Sequence, residues 1–490
     1  MTLFSRKTFA HGIHPPGLKD DTKGLPIRQF PFAPVLVVPL SQHIGKPAVP
    51  VVREGQEVIR GQCIAQPDGF LSVAMHAPAS GVVRRIGLTP SITGRMTSGI
   101  FIEPFPASTQ EVPEGTPCDA ATANPEEIVA AIQQAGVVGL GGAGFPTHAK
   151  LKMPEGKSVD TLLVNGAECE PYLTTDHRVM LEHSDDVFAG IPYLMRATGA
   201  TRTIIGVEAN KLDAAAVLNA AIPDGAPITV ETLPVKYPQG AEKMLIKALL
   251  GREVPSGGFP LDVHAICTNV TTTAEIGRLL PRGLGIQERV VTIGGPGIKN
   301  KGNYRVPIGT PLRFVLEWAG MEENLTRVFL GGPMMGQAVS SLDIPITKGS
   351  SGVIGFTSCE SSPLNDSKHY PCIRCGYCVD ACPIFLNPSQ LGLLAENGEY
   401  LRMSEDFHLM DCFECGCCTF VCPSHIQLVQ HFRIAKAALR KAKVEAKAKD
   451  ESKPKDESKP KDESKPKDES KPKDEPKAEA KEESKAKVLA

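Results

Sequence analysis

The sequence predicts a multidomain chain of mixed α/β and α+β class, and three observations carry that prediction. At 490 residues the chain exceeds the roughly 250 to 300 residues at which single hydrophobic cores stop growing. Its apolar pattern changes along the way. Short β-branched runs come first, then strands alternating with helical stretches, which is how βαβ units around a mostly parallel sheet read. Near the end stand two cysteine runs of identical spacing: Cys372, Cys375, Cys378, Cys382-Pro383 and Cys412, Cys415, Cys418, Cys422-Pro423.

Bulk properties narrow the class. A formal net charge of -2 supplies no global basic field for nucleic acid and no acidic excess typical of a solvating, disordered protein. Met1 to Lys23 has no apolar core of signal-peptide length and is broken by Pro15, Pro16 and Gly17, so no secretion signal is expected there. No stretch reaches the ~18 uninterrupted apolar residues of a spanning helix, so a membrane link is expected to be peripheral. Of 14 cysteines, eight belong to the two runs. Cys63, Cys118, Cys169, Cys267, Cys359 and Cys417 are scattered without a disulfide framework, which fits a reducing compartment.

Taken in order, residues 1–28 read as an irregular arm. His11 and His14 there lack a nearby third ligand, which favours packing or surface roles over metal binding. Residues 29–105 hold Val35-Leu36-Val37-Val38, Val51-Val52, Glu57-Val58-Ile59 and Gly81-Val82-Val83 between Gly and Pro breaks, the pattern of a small all-β unit. Its turns, such as Gly55-Gln56-Glu57-Val58, resemble those of lipoyl-like barrel-sandwich domains. No lysine sits where a lipoylated turn presents one, so a docking module is expected rather than a carrier.

Residues 125–288 read as an α/β domain. Helical periodicity over Glu126–Ala135 runs into Gly139-Leu140-Gly141-Gly142-Ala143-Gly144-Phe145-Pro146-Thr147-His148-Ala149-Lys150. A glycine-dense loop lets backbone N–H groups close on a phosphate, with a lysine adding charge, although a tight packed turn uses the same residues. Thr161 to Val164 is a buried-strand pattern that delivers Asn165-Gly166-Ala167-Glu168-Cys169-Glu170-Pro171 at its carboxyl end, where α/β folds place ligands. Strands are predicted at Thr203–Val207 and Ile228–Leu233, and helices at Ala214–Ala221 and Ala241–Leu250. Residues 289–355 read as a further β unit with a helix near Leu312–Glu317. Gly331 to Gly336 is read as structural turns, because Pro333-Met334-Met335 leaves few free N–H groups for a phosphate.

The cysteine runs spell C-x2-C-x2-C-x3-C-P, in which three close thiolates hold one [4Fe-4S] cube and the fourth reaches the other. That rule predicts one cluster on Cys372, Cys375, Cys378 and Cys422, and a second on Cys412, Cys415, Cys418 and Cys382. Structural zinc sites instead use two pairs separated by a longer loop. Cys417 is a surplus thiol. Residues 365–430 are thus expected to form a two-cluster, ferredoxin-like domain with a helix over Ser389–Leu401 between its motifs. A basic amphipathic helix follows at 431–449, its pattern starting near Ile426, with an apolar stripe at Leu428, Phe432, Ala435 and Leu439. That stripe suits either packing on the cluster domain or lying on anionic lipid. The tail 450–490 repeats Asp-Glu-Ser-Lys-Pro-Lys four times and is expected to be disordered, because the hexads hold no apolar residue to bury and a Pro at every sixth position.

The loop ending at Lys150, the Asn165 to Pro171 strand end, Tyr237-Pro238-Gln239-Gly240-Ala241-Glu242 and Thr268-Asn269-Val270-Thr271-Thr272 resemble, in order, the FMN and NADH motifs of the flavin-bearing subunit of respiratory complex I. With a β module in front and two ferredoxin motifs behind, residues 1–435 or so resemble the RnfC (RsxC) family of the Rnf ion-translocating electron-transport complexes. In that family 289–355 corresponds to a soluble-ligand-binding β-grasp domain.

The resemblance implies that Gly141, Gly142, Gly144 and Lys150 line the FMN phosphate, and that Asn165, Gly240, Asn269 and Thr272 contact the rest of the flavin. Phe145, Glu170 and Glu242 would lie near NAD(H). It also implies a peripheral protein on the cytoplasmic face of the inner membrane, partnered by other subunits including an iron–sulfur one. No acid–base catalytic residue is required. Leu140, Ala167, Ala241 and Thr268 depart from the complex I pattern, which leaves a rival expectation: a structural electron wire whose flavin site does not function.

Overall fold

The computed structural model describes residues 7–358 and 369–451. The repeat tail, from residue 452 on, and Cys359 lie outside the described residues.

Four regions follow one another, and in each the sequence pattern explains the layer it forms. The first β unit is a pair of antiparallel sheets. One has the order Leu36–Pro39, Met96–Pro104, Gly81–Pro90, Glu57–Val58, and the other Val49–Pro50, Cys63–Gln66, Met75–His76. Val38, Ile64, Met75, Val83, Ile100 and Ile102 fill the space they enclose. Of the β-branched runs read from the sequence, Leu36 to Val38, Val58 and Gly81 to Val83 lie in strands, while Val51-Val52 falls just beyond Val49–Pro50 and Val51 and Ile59 are exposed.

The second region is built on a four-stranded parallel sheet in the order Ile228–Leu233, Arg202–Glu208, Thr161–Gly166, Ala265–Asn269. Its central strand is apolar on both faces, as a covered parallel sheet requires. Leu163 joins Leu245 and Ile246 of the helix Glu242–Leu250 on one side. Leu162 and Val164 join Ile191 and Leu194 of the helix Ser184–Thr198 on the other. The helix Pro125–Gln134 starts with a reciprocal capping box between Asn124 and Glu127, with Pro125 in its first turn. All four strands run the same way and end on one side, so Asn165, Glu208 and Asn269 share one rim.

The third region is a six-stranded mixed sheet that includes Glu288–Gly294, Gly302–Pro307, Leu325–Leu330 and Gly352–Thr357, backed by the helix Leu312–Ala319. Here one expectation is corrected. The arm is not irregular throughout, because Asp20–Lys23 is a short helix and Ile27–Gln29 pairs in parallel with 303–305 as an edge strand of this sheet.

The cysteine region consists of short helices around the two runs. A second correction falls here: the helix expected over Ser389–Leu401 is two, Pro388–Glu396 and Tyr400–Glu405, broken at Gly398 with φ +71°. The final helix, Leu428–Glu451, buries Leu428, Phe432 and Ala435 against Leu391, Leu394 and Met403. Its apolar stripe therefore covers the cluster region, with Leu439 packed at the edge. Among the described residues no helix is long and apolar enough to cross a membrane.

Candidate flavin and iron–sulfur site

At the sheet rim, Asn165 and Asn269 are register partners on adjacent parallel strands. Asn165 Nδ2 donates to the Gly240 carbonyl at 2.8 Å, and its Oδ1 accepts from Ala167 N at 3.1 Å. Asn269 caps the helix Val270–Leu279 by accepting from Thr272 N at 3.1 Å. Its amide nitrogen donates to Asp176 at 2.8 Å. Thus the strand-end loop is bonded to the Tyr237–Glu242 turn, and the Thr268–Thr272 segment stands beside it on the next strand.

The glycine loop closes over the same rim. Leu140 N donates to Thr272 Oγ1, and the Leu140 carbonyl accepts from the buried Arg289, both at 2.9 Å. A Cβ on Gly141 would stand 2.5 Å from Asn269 Nδ2, so only glycine fits. Gly142 faces open space, and Gly144 holds φ +66°, a left-handed conformation that glycine adopts without strain. Phe145 is exposed. Lys150 Nζ meets Glu242 Oε1 at 2.8 Å, so two residues expected to contact different parts of the ligands form an ion pair here.

Buried charges brace the strand-end loop. Lys211 donates to the Ala167 carbonyl at 2.8 Å and to Glu208 at 3.0 Å, while Lys19 donates to the Glu168 carbonyl at 2.9 Å. The Glu168 carboxylate accepts from Asp176 N and His177 N at the start of the helix Thr175–Glu182. Burial first, and the neighbouring Glu168 second, push the Asp176 carboxyl up to about 6. Asp176, Arg289, Lys19 and Lys211 carry no sign of this role in the sequence, because each reaches the rim from outside the four motifs.

Several buried polar atoms of the motifs have no partner among the described residues: both ends of the Gln239 carboxamide and the hydroxyls of Thr147 and Thr268. Buried polar groups are normally satisfied, and these belong to three of the four motifs. Unpaired donors and acceptors in such a set fit a polar cofactor such as FMN.

The two cysteine runs surround two separate cavities. One is lined by Cys372, Cys375, Cys378 and Cys422, the other by Cys382, Cys412, Cys415 and Cys418. With the surplus Cys417 set aside, each cavity brings together three motif thiols from one run and one from the other, the grouping that the spacing rule predicts. Two thiol quartets of crossed origin, each from a C-x2-C-x2-C-x3-C-P run, are the donor set of [4Fe-4S] clusters, whereas structural zinc sites pair cysteines across a longer loop. The donor set therefore fits a cube. Cys417, buried, also borders the second cavity and packs with Ile13, Tyr237 and Ala381.

The second cavity abuts the flavin motifs. Tyr237 Oη donates to the Cys415 carbonyl at 2.6 Å and lies 3.5 Å from Glu170. Ser256 Oγ and Gly257 N donate to Asp411 at 2.5 and 3.1 Å. Resemblance puts Glu170 near the nucleotide, yet its buried carboxylate accepts from Met334 N at 3.1 Å and Met335 N at 2.7 Å. Those two N–H groups belong to the Gly331–Gly336 turns, whose Met334 lies against Gly416 of the cysteine run. His11 and His14 have carbonyl partners, on Asp380 and Val235.

A β module, a flavin-type α/β domain and a two-cluster domain in one chain define a flavin and iron–sulfur electron-transfer protein. Family models match region by region: the RnfC barrel sandwich hybrid domain over 7–105, the Nuo51 FMN-binding domain over 132–278, the SLBB domain over 290–338 and the 4Fe-4S dicluster domain over 371–426. The C subunit of the proton-translocating ferredoxin:NAD(+) oxidoreductase complex of Clostridium ljungdahlii is 44% identical over 89% of this chain and 95% of its own. Its counterpart in the Na(+)-translocating ferredoxin:NAD(+) oxidoreductase complex of Acetobacterium woodii is 40% identical over 88% and 96%. The counterpart in the ion-translocating oxidoreductase complex of Pseudomonas aeruginosa is 38% identical over 89% of this chain and 56% of its own. The chain belongs to the RnfC family of ion-translocating oxidoreductase complexes.

Proposed function

We propose that this chain is the subunit that passes electrons between NAD(H) and two [4Fe-4S] clusters by way of FMN, within a membrane-bound complex that couples NADH/ferredoxin redox exchange to ion transport. The names of its relatives and the FMN-binding and dicluster family matches support that reading. Bound FMN supplies the exchange between hydride, carried as an electron pair, and the single electrons that iron–sulfur clusters accept. The observation that carries the proposal is the Tyr237 to Cys415 contact, which joins a flavin motif directly to a cluster-ligand loop.

Gly141, Gly142, Gly144 and Lys150 hold the FMN phosphate in this reading, and Asn165, Gly240, Asn269 and Thr272 hold the rest of the flavin. Phe145 and Glu242 lie on the nucleotide side. Glu170, bonded to Met334 and Met335, serves the junction between domains. Cys382, Cys412, Cys415 and Cys418 hold an inner cluster beside the flavin motifs. Cys372, Cys375, Cys378 and Cys422 hold an outer one that faces an iron–sulfur partner. The working domains are 29–105, 125–288, 289–355 and 365–430, and the chain sits peripherally on the cytoplasmic face of the inner membrane.

Leu140, Ala167 and Ala241, with Lys150 paired to Glu242, keep the electron-wire alternative in view. Full-length protein loaded with FMN, iron and sulfide separates the two. NADH should bleach both the bound flavin and the cluster absorption. Failure to bind FMN, or flavin that stays oxidised under NADH while dithionite bleaches the clusters, would leave only the wire.

A further inference from the structure

The junction between the flavin motifs and the inner thiol cavity turns on one hydroxyl. Tyr237 is almost fully buried, at 1% exposure, and its Oη donates to the Cys415 carbonyl at 2.6 Å. Its backbone is clamped on the other side, because Tyr237 N and O exchange hydrogen bonds with Ile13 O and N, both at 2.9 Å. The arm that supplies Ile13 also reaches the other ligand loop, where Gly12 N donates to the Ala381 carbonyl at 3.3 Å, next to Cys382. Around the ring pack Ile13, Ala381 and Cys417, with Cys169 and Met334 at the edge. Burial, and after it the nearby Glu170, raise the phenol well above its ordinary range, so it remains a neutral donor.

A buried O–H dipole aimed at a ligand loop has an electrostatic consequence. Reduction adds negative charge to a cluster, whose potential responds to net charge, hydrogen bonds to the sulfurs and solvent exposure; a donor on the Cys415 carbonyl acts on it through the ligand loop's position and dipole. In a low-dielectric setting a fixed donor counts for more than in water. Both cavities are lined by residues of the cysteine region, Cys372 to Leu428 for the outer and Cys382 to Phe432 for the inner, so Tyr237 reaches the inner one through the Cys415 carbonyl.

We propose that Tyr237 is a positioning residue for the inner cluster: its hydroxyl fixes the Cys415 ligand loop against the flavin sheet and raises the potential at which that cluster, and not the outer one, is reduced. This rests on the ligand assignment and electron-transfer reading given above. Tyr237→Phe keeps the ring and removes the donor. Ser256→Ala removes a different contact to the same run, through Asp411, and controls for general loosening of the junction.

The test is an EPR-monitored redox titration of full-length protein loaded anaerobically with iron, sulfide and FMN, with the two signals assigned by Cys372→Ser and Cys412→Ser variants. Y237F should shift the inner cluster's reduction equilibrium toward the oxidised form by up to about fivefold, the bound reached if the reduced state alone gains one hydrogen bond's ordinary net strength. For one electron that is about 40 mV. The outer cluster should stay unmoved, and S256A should move neither. An unchanged inner potential in Y237F, an equal shift of both clusters, or the same shift in S256A would overturn the inference. If Y237F takes up less iron, the loaded fraction still reports each potential separately and decides in the same way. Wild-type protein that takes up no cluster would overturn the electron-transfer reading as well, which separates that failure from this one.

Discussion

The two thiol cavities are built from one motif used twice, each cysteine of the second run standing 40 positions after its counterpart. Even the strained backbone repeats. Arg374 and Glu414, Gly376 and Gly416, and Phe385 and His425 all hold positive φ at matching places. Their settings differ sharply. Cys372 and Cys375 are exposed, whereas Cys382 and Cys418 are buried. The inner run is tied to its neighbours through Tyr237, through Ser256 and Gly257 on Asp411, and through Lys436 and Arg433 on Glu414. Local sequence therefore sets which metal group each run suits, while tertiary surroundings set how exposed and how firmly anchored each cavity is.

The largest expected effect breaks the pairing of runs and cavities. Cys382→Ala should remove the cluster on Cys412, Cys415 and Cys418 and spare the one beside its own run, so that iron content falls by about half under crossed ligation. EPR of the reduced protein reads which signal is lost, and loss of the Cys372 cluster alone would refute the crossed arrangement.

A smaller effect follows from exposure. On treatment of loaded protein with a chelator under mild oxidation, the outer cluster should disappear first, on the order of tenfold faster, since access governs thiolate chemistry. Time-resolved loss of the two EPR signals measures it. Simultaneous loss would mean that the difference in burial has no consequence.

The smallest concerns how firmly the inner run is docked. At Asp411 burial works against the charge, but the Ser256 hydroxyl and then Gly257 N–H outweigh it and hold the carboxyl below its ordinary value. A depressed acid contributes stability that is complete above its unfolded pKa, near 3.8, and lost as pH falls through the folded value. Asp411→Asn should lower stability at neutral pH by no more than about 1 kcal/mol and should flatten the acid limb of the curve. Chemical denaturation across pH 2 to 7 checks both.

How much of this was legible in the sequence depended on distance along the chain. The grouping of the cysteines into two mixed cavities could be read from spacing because both runs lie within about fifty residues. The central sheet could be read as well, since Thr161–Gly166 is covered on both faces and carries the apolar run Leu162 to Val164. Ile27–Gln29 could not, because a three-residue edge strand has no periodicity of its own and its partner, 303–305, is distant. Tyr237 was visible as part of a motif, but its bond to Cys415 spans 178 positions and leaves no local trace. Glu170 shows the same limit from the other side. An acid at a strand end looks ready for a ligand until the Met334 and Met335 N–H groups are found on it.

Under the proposed arrangement, electrons from NADH reach the outer cluster only through the inner one. Rapid-freeze EPR after mixing NADH with full-length, loaded Cys412→Ser and Cys372→Ser proteins tests it most directly. In C372S the inner cluster should be reduced at the wild-type rate. In C412S the outer cluster should stay oxidised on that timescale while dithionite still reduces it. Wild-type reduction of the outer cluster by NADH in C412S would contradict the claim.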